Sequence, residues 1–192
     1  MIPHARAASA KDNPTIGIVT ILEQYVESES RSQIKQSNQD QEASTLNPVS
    51  DKQDCLIDER FPGSIQQWCQ LISRYANLHD LDPDLIAAVV WQESGGNPGA
   101  YSKSGAVGLM QVMPRDGLAA SFQCKNGPCF EDRPTMVELE NPEFNVAFGS
   151  EMLANLIKHH GSTRDALKSY GPMDVGYYYA DKVLSLKATY GD

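Results

Sequence analysis

A mainly α-helical fold is predicted for most of this 192-residue chain, on three observations. Apolar residues recur at helical spacing from about residue 64 onward. Capping residues and glycines stand where the periodic stretches begin and end. Convincing strand alternation and internal repeats are both missing from the pattern. We therefore expect a single domain of five or six helices over residues 55–192.

The first predicted helices precede a glycine-rich loop. SIQQWCQLISRYANL, residues 64–78, carries one apolar stripe. DPDLIAAVVWQES predicts the second helix, since Asp82 suits the N-cap, Pro83 the first helical position, and Gly95 follows the last turn. Beyond the loop, GLMQVMP predicts a third, short helix closed by Pro114.

Three further helices are predicted after a connecting segment that contains short helices. NPEFNVAFGSEMLANLIKHHG predicts a long helix that Gly161 terminates, because its apolar residues recur at helical spacing. STRDALKSYG predicts another helix with Ser162 as N-cap. VGYYYADKVLSLKATYG predicts the last one.

Residues 1–54 are predicted to form a flexible or extended N-terminal arm. Residues 28–54 hold four apolar side chains and no aromatic ring, too few to offset the entropy cost of ordering the segment. Residues 12–27 are compatible with a short helix. The apolar run IGIVTIL is too short to span a bilayer and no cleavage pattern follows it, so no export signal is visible.

The charge of the chain excludes several classes of partner. With 25 acidic and 16 basic residues, the net charge is −9. Such a chain has little attraction for nucleic acid or for an anionic membrane surface. We expect a monomer with no nucleic-acid partner and no membrane span.

Four cysteines predict two disulfides. The turn sequence in CKNGPC lets Cys124 and Cys129 approach each other, because Asn and Gly tolerate a positive φ. Three connectivities are possible, and the simplest adds a bond between Cys55 and Cys69. A zinc site is the alternative, although only one pair is closely spaced and no histidine is near it. Disulfides favour an oxidising, extracytoplasmic compartment.

Glu93 is the candidate catalytic residue. It shares a helix face with Leu85 and Val89, so its carboxyl is expected at the edge of the core. Burial and the negative end of the helix dipole both raise the pKa of a carboxyl group. A carboxyl that is protonated near neutral pH suits general acid catalysis on a glycosidic oxygen. The alternative is a solvated residue near a helix terminus.

The stretch ESGGNPGAYSKSGAVGLMQVMP resembles the signature of the soluble-type lytic transglycosylases, which share the lysozyme-like fold with goose-type lysozymes. The resemblance extends from about residue 64 to about residue 188. It rests on positions at fixed spacings: Glu93, Ser94, Pro98, Ala100, Ser102, Gly105, Ala106, Gly108 to Gln111, Pro114, Asn145, Gly149 and Leu153.

The resemblance implies a reaction with a single acid and neither cofactor nor metal. Glu93 would protonate the glycosidic oxygen between N-acetylmuramic acid and N-acetylglucosamine in peptidoglycan. It would then accept the proton of the muramoyl 6-hydroxyl as a 1,6-anhydro ring closes. A hydrolytic muramidase is the alternative, with Asp116, Glu131 or Asp132 as second acid. An inactive glycan-binding or structural module, for instance in a phage particle, is the third hypothesis.

The resemblance also implies substrate-binding residues near Glu93. The family serine that hydrogen-bonds near the carboxyl corresponds to Ser102, and the family tyrosine that approaches the carboxyl corresponds to Tyr170. The family pattern has Asn after that tyrosine, where this chain has Gly171. Tyr179 matches a second family tyrosine in the closing helix. Met110 and Met113 are the candidate walls of the cleft, and Gln111 can offer an amide donor and acceptor to the sugar. The secreted, periplasmic, cell-wall or phage-associated location expected from the disulfides fits this substrate.

Overall fold

The computed structural model describes residues 54–172 and 175–191. Seven α-helices and one two-stranded hairpin are described in these ranges. They are, in chain order, α1 Gly63–Gln66, α2 Cys69–His79, α3 Pro83–Ser94, β1 Gln123–Cys124, β2 Gly127–Pro128, α4 Met136–Leu139, α5 Pro142–His160, α6 Thr163–Tyr170 and α7 Tyr178–Tyr190. A 3₁₀ turn at Gly117–Ser121 precedes the hairpin. The predicted N-terminal arm lies outside the described residues, except for Asp54.

Helix α3 lies at the centre of the domain, and its bounds confirm the prediction. The side chain of Asp82 accepts the N–H of Asp84, Pro83 opens the helix, and Gly95 ends it with φ of 63°. Every residue from Ile86 to Val90 is fully buried. A helix that is apolar all round needs neighbours on several sides, and α3 packs against α1, α2 and α7.

The first predicted helix is interrupted, contrary to the sequence prediction. It divides into α1 and α2 at Gln67 and Trp68, where Trp68 has φ of −99° and ψ of 4°. The indole N–H of Trp68 donates to the carbonyl of Gly96, 2.9 Å away. The apolar periodicity continues through the break, so nothing local to the sequence marks it.

The predicted helix at GLMQVMP is wrong. Val107 pairs with Val112 in an antiparallel bridge, and the chain turns tightly between them. Gly108 has φ of 79° and Gln111 has φ of 48°, both in the left-handed region that a right-handed helix cannot use. Leu, Met and Gln favour helices on their own, and long-range contacts override that preference here.

The three C-terminal helices confirm their predictions. Helix α5 ends at Gly161, which has φ of 71°. The hydroxyl of Ser162 accepts the N–H of Asp165 at the start of α6. Helix α5 packs against α2 and α6, while α7 packs against α3 and α6. The mainly helical fold class is therefore confirmed, with strands limited to a hairpin and isolated bridges among the described residues.

Both predicted disulfides are formed. Cys55 pairs with Cys69 and Cys124 with Cys129, at Cα separations of 5.3 Å and 4.9 Å. The zinc alternative is thereby wrong, because all four thiols are used. Closing loops of 14 and 5 residues stabilises a domain by about 3 and about 2 kcal/mol in the chain-entropy treatment.

Candidate active site

Glu93 is the second-last residue of α3, and its carboxyl is half-buried at the C-terminal end of that helix. Leu85 and Val89, on the same helix face, are buried in the core. The helix therefore directs the carboxyl outward from packed apolar residues, as the spacing predicts. The negative end of the helix dipole lies beside it.

Tyr179 is the hydrogen-bond partner of this carboxyl. Its hydroxyl donates to Oε1 of Glu93. Burial raises the pKa of Glu93 to about 7, and the hydrogen bond from Tyr179 opposes part of that rise. Burial and the nearby Glu93 charge hold the pKa of Tyr179 far above its usual range, so Tyr179 remains a donor. Near neutral pH, Glu93 is thus able both to give and to take a proton.

Tyr170 lies near Glu93, since burial and the Glu93 charge raise the pKa of Tyr170, but its hydroxyl bonds to another group. Its hydroxyl donates to the carbonyl of Met110, 2.9 Å away. The ring of Tyr170 stacks on that of Tyr179, with centroids 6.4 Å apart and an interplanar angle of 12°. The hydrogen bond to Glu93 belongs to Tyr179, and Tyr170 supports the ring that makes it.

Gly171, the departure from the family pattern, makes room for Tyr179. A Cβ atom at this position would lie 2.3 Å from Cγ of Tyr179, closer than real Cβ contacts come. The backbone of Gly171 is extended, with φ of −76°, so the lack of space and not the conformation calls for glycine. We refer to Tyr170, Gly171 and Tyr179 together as the tyrosine segment.

The glycine loop, residues 95–113, is held mainly by its own hydrogen bonds. The hydroxyl of Ser102 accepts the N–H of Ala106 at 2.9 Å, and within the described residues no hydrogen bond joins Ser102 to Glu93. The amide Nε2 of Gln111 donates to the carbonyls of Ala100 and Gly108, at 3.1 and 3.0 Å. Both residues are half-buried.

The two methionines of the loop have different environments. Met110 has no exposed surface, and its Sδ lies against Gly149, where a Cβ atom would come within 2.5 Å of it. The interpretation of Met110 as a wall of the cleft is therefore wrong: its side chain is part of the core. Met113 is half-exposed, so its contact with substrate stays a prediction.

Asn145 and Ser94 anchor the glycine loop, a role that sequence reasoning missed. Asn145 is fully buried; its Oδ1 accepts the N–H of Met110, and its Nδ2 donates to the carbonyls of Val107 and Leu139. The hydroxyl of Ser94 donates to the carbonyl of Leu109. A polar Asn in the apolar stripe of the long helix was the available signal, because buried polar groups need partners.

Among the described residues, none of the candidate second acids is hydrogen-bonded to Glu93. Asp116 accepts the N–H of Met136 at 2.7 Å, and Glu131 and Asp132 are exposed. The causes that shift the pKa of Glu93 are burial and the Tyr179 hydrogen bond. A nearby carboxylate would raise that pKa by repulsion, and none among the described residues contributes.

A cavity of about 640 Å³ adjoins the glycine loop but is separate from the carboxyl. Ala100, Tyr101, Val107, Met136 and Glu140 are among its lining residues, whereas Glu93 and Tyr179 are not. No helix in residues 54–172 and 175–191 has the length and apolar character needed to cross a membrane. In those ranges, no three His, Cys, Asp or Glu side chains are grouped so that they could hold a metal ion.

Comparison with known proteins identifies the family. Residues 70–176 match the Transglycosylase SLT domain, and this match covers more than half of the chain. The chain belongs to the Transglycosylase SLT domain family. Glu93, the glycine loop and Tyr170 all lie within the SLT domain match, and Tyr179 lies just beyond it.

Curated relatives of this SLT domain are lytic murein transglycosylases. The chain is 33% identical over 111 residues to membrane-bound lytic murein transglycosylase E of Buchnera aphidicola, covering 58% of this chain and 49% of the relative. It is 38% identical over 90 residues to endo-type membrane-bound lytic murein transglycosylase A of Klebsiella pneumoniae, covering 47% and 43%. The chain thus spans about half the length, or less, of these curated relatives.

Solved structures similar to this SLT domain are also lytic transglycosylases. An inactive mutant of lytic transglycosylase Slt from Pseudomonas aeruginosa is 22% identical, with a TM-score of 0.48 over 62% of this chain and 23% of that chain. The 70 kDa soluble lytic transglycosylase of Escherichia coli is 24% identical, with a TM-score of 0.44 over 70% of this chain and 20% of that chain.

Proposed function

We propose that this domain cleaves peptidoglycan as a lytic transglycosylase, with Glu93 as its single general acid and base. The observation that carries the proposal is one half-buried carboxyl whose pKa is raised to about 7 and whose only hydrogen-bond donor among the described residues is Tyr179. A carboxyl of ordinary pKa is almost entirely ionised at neutral pH and cannot donate a proton.

In the first step, protonated Glu93 donates its proton to the glycosidic oxygen between N-acetylmuramic acid and N-acetylglucosamine. The C–O bond breaks as positive charge develops on the muramoyl ring. The carboxylate that remains accepts the hydrogen bond of Tyr179, which stabilises the charge just created. Tyr179 therefore favours the product of this proton transfer.

In the second step, carboxylate Glu93 accepts the proton of the muramoyl 6-hydroxyl. The freed oxygen attacks the anomeric carbon and closes the 1,6-anhydro ring, which returns Glu93 to its protonated state. Substrate groups, namely this hydroxyl and the acetamido group, take the place of the second carboxylate that other glycosidases use.

Substrate contacts are proposed for residues of the glycine loop and the tyrosine segment. Ser102, Gln111 and Met113 are half-buried on the loop, Tyr170 is half-buried, and the buried Tyr179 bonds to Glu93. Because the Nε2 of Gln111 is used within the loop, its Oε1 is the atom left for sugar hydroxyls or acetamido N–H groups.

The proposed partner is the glycan strand of peptidoglycan, met by a monomer outside the cytoplasm. Two disulfides in a domain of this size support an oxidising compartment. A chain with a net charge of −9 has no general attraction for an acidic polymer, so specific contacts in the cleft must supply the binding energy.

The product of a peptidoglycan digest tests the proposal. Wild type is expected to release muropeptides with 1,6-anhydromuramoyl ends, which mass spectrometry identifies because they are lighter than reducing ends by one water. Glu93→Gln is expected to lose about 10²- to 10⁴-fold of the rate. Glu143→Gln, at the exposed start of α5, is the matched control and should retain the rate. Reducing muramic acid ends would instead identify a hydrolytic muramidase, and equal activity of wild type and Glu93→Gln would remove Glu93 from the chemistry.

A further inference from the structure

Arg133 follows the disulfide hairpin and packs between aromatic rings. Its guanidinium lies 5.8 Å from the ring centroid of Phe148 on α5 and 6.0 Å from that of Phe130. One of its nitrogens is 2.6 Å from Sδ of Met152. Aromatic faces on α5 and just after the hairpin thus flank the guanidinium.

This cation has no carboxylate partner in the described part of the chain. Arg60, Arg74 and Arg164 each form an ion pair with an Asp or Glu. The side-chain hydrogen bond of Arg133 goes to a thioether, which is a weak acceptor. Burial lowers the pKa of Arg133, which shows that its charge is poorly solvated. An unpaired cation in such surroundings is costly.

Glu151, next to Met152 in sequence, does not neutralise this charge. Its Oε2 is buried without a hydrogen-bond partner, and burial raises the pKa of Glu151. Among the described residues, no other buried side-chain nitrogen or oxygen atom lacks a hydrogen-bond partner. Arg133 itself is half-buried and not fully enclosed, so part of its surface is accessible to a ligand.

Arg133 and Tyr170 are linked through α5 and Met110. Arg133 lies against Phe148 and Met152 of α5. The Sδ of Met110 lies against Gly149, between those two residues in sequence, and the carbonyl of Met110 accepts the hydroxyl of Tyr170.

Burial and the charge of Glu93 raise the pKa of Tyr170, and the charge of Arg133 partly opposes that rise, so Tyr170 is within electrostatic range of both residues. Tyr170 also stacks on Tyr179, the hydrogen-bond partner of Glu93. A glycan strand bound for cleavage at Glu93 would therefore pass near the guanidinium.

We propose that Arg133 binds a carboxylate carried by the muramoyl residues of the substrate, either on the lactyl group or on the peptide attached to it. A guanidinium offers a planar set of donors that matches a carboxylate, and the aromatic rings fix its orientation. The inference rests on the proposed function, since it takes peptidoglycan as the substrate. It gives this acidic chain a specific means of holding an acidic polymer.

Binding measurements in the Glu93→Gln background test the proposal without turnover. Three ligands separate the sources of a carboxylate: a neutral N-acetylglucosamine oligomer, glycan strands whose peptides an amidase has removed to leave lactyl carboxylates, and peptide-substituted strands. The variants are Arg133→Met, which keeps an apolar chain between the rings, and Arg133→Lys, which keeps the charge. Arg74→Met is the matched control, because it removes an arginine that pairs with Glu143 at the far end of α5.

Calorimetric Kd values are expected to weaken by about 10- to 100-fold for one or both carboxylate ligands in Arg133→Met, the range for hydrogen bonds to a charged group. The neutral oligomer should bind with an unchanged Kd, Arg133→Lys should lose less, and Arg74→Met should match the parent. The strand type that loses affinity identifies the carboxylate.

Two results would overturn the assignment of Arg133. One is an equal loss for the neutral oligomer, which would mean that Arg133 only supports the cleft, and the other is no loss for any ligand. Melting temperatures of the variants show whether the fold is retained, and Arg133→Lys carries the test if Arg133→Met unfolds. These Kd values do not depend on the product, so a digest with reducing ends would reject the proposed reaction and leave the result on Arg133 readable.

Discussion

The glycine loop and the tyrosine segment both adjoin Glu93, but they contribute to the site in different ways. The loop retains the family pattern, and its polar groups bond to one another and to Asn145 on α5. The tyrosine segment departs from the pattern at Gly171, yet it supplies the hydroxyl that touches the carboxyl. An intact signature thus reports the backbone frame, whereas the hydrogen bond to the acid depends on how one ring packs.

Glu93→Gln is expected to be more stable than the wild type at high pH. The size of this difference tests how strongly the two regions desolvate Glu93. The pKa of Glu93 is about 7 in the folded protein, against an ordinary value of 4.5 for a glutamic acid side chain. The wild type therefore loses stability as pH rises from about 4.5 through 7, and Glu93→Gln lacks this loss. Its free energy of unfolding relative to wild type should rise by about 3 kcal/mol between pH 4 and pH 8.

Urea unfolding of both proteins at pH 4, 6 and 8 measures this difference. Glu138→Gln is the control of opposite sign, because hydrogen bonds from Thr135 lower the pKa of Glu138, and its relative stability should fall as pH rises. A Glu93→Gln difference that stays constant across pH would mean that the carboxyl is not desolvated.

Filling the space at Gly171 is expected to lower kcat by up to about 100-fold, because small displacements of a catalytic constellation have costs of that order. In Gly171→Ala the added Cβ would lie 2.3 Å from Cγ of Tyr179, so the ring must move. Release of anhydromuropeptides from peptidoglycan measures kcat.

Gly161→Ala is the matched control for this prediction. At Gly161 an added Cβ meets no atom within 4 Å, but φ is 71°. The control should lose about 1 kcal/mol or more of stability through left-handed strain and retain its kcat. If Gly171→Ala kept full activity, the tyrosine segment would not need the close packing described here.

The sequence predicted the frame of the site better than its contacts. Asp82, Pro83 and Gly95 marked the bounds of α3, because capping is local chemistry. The bridge between Val107 and Val112 was missed, since the turn depends on Asn145, 35 residues from the Met110 N–H that it accepts. Helix propensity depends on neighbouring residues, so it cannot predict a contact this distant in sequence.

The contacts of Tyr170, Tyr179 and Arg133 also could not be predicted from the sequence. The resemblance placed Tyr170 near Glu93 and matched Tyr179 to a second family tyrosine, but it did not indicate which hydroxyl bonds to the carboxyl. That hydroxyl is Tyr179, whose ring fills the space left at Gly171. Arg133 lies in connecting sequence with no periodicity or motif around it. Its position follows from the hairpin, Phe130 and Phe148, which meet only in the folded chain.

The smallest expected effect comes from removing the hydrogen bond between Tyr179 and Glu93. Because the bond from Tyr179 lowers the pKa of Glu93, Tyr179→Phe should raise that pKa further. The alkaline limb of the pH–rate profile, where the acid is lost, should then move to higher pH. Tyr178→Phe is the matched control, since Tyr178 is 70% exposed and adjacent in sequence.

A carbon-13 NMR titration of the Glu93 carboxyl tests the central claim most directly. We expect a midpoint of about 7 in wild type and in Tyr178→Phe, and a higher midpoint in Tyr179→Phe. A wild-type midpoint near the ordinary 4.5, or one that Tyr179→Phe leaves unchanged, would contradict the claim that burial and the Tyr179 hydrogen bond together set the acidity of Glu93.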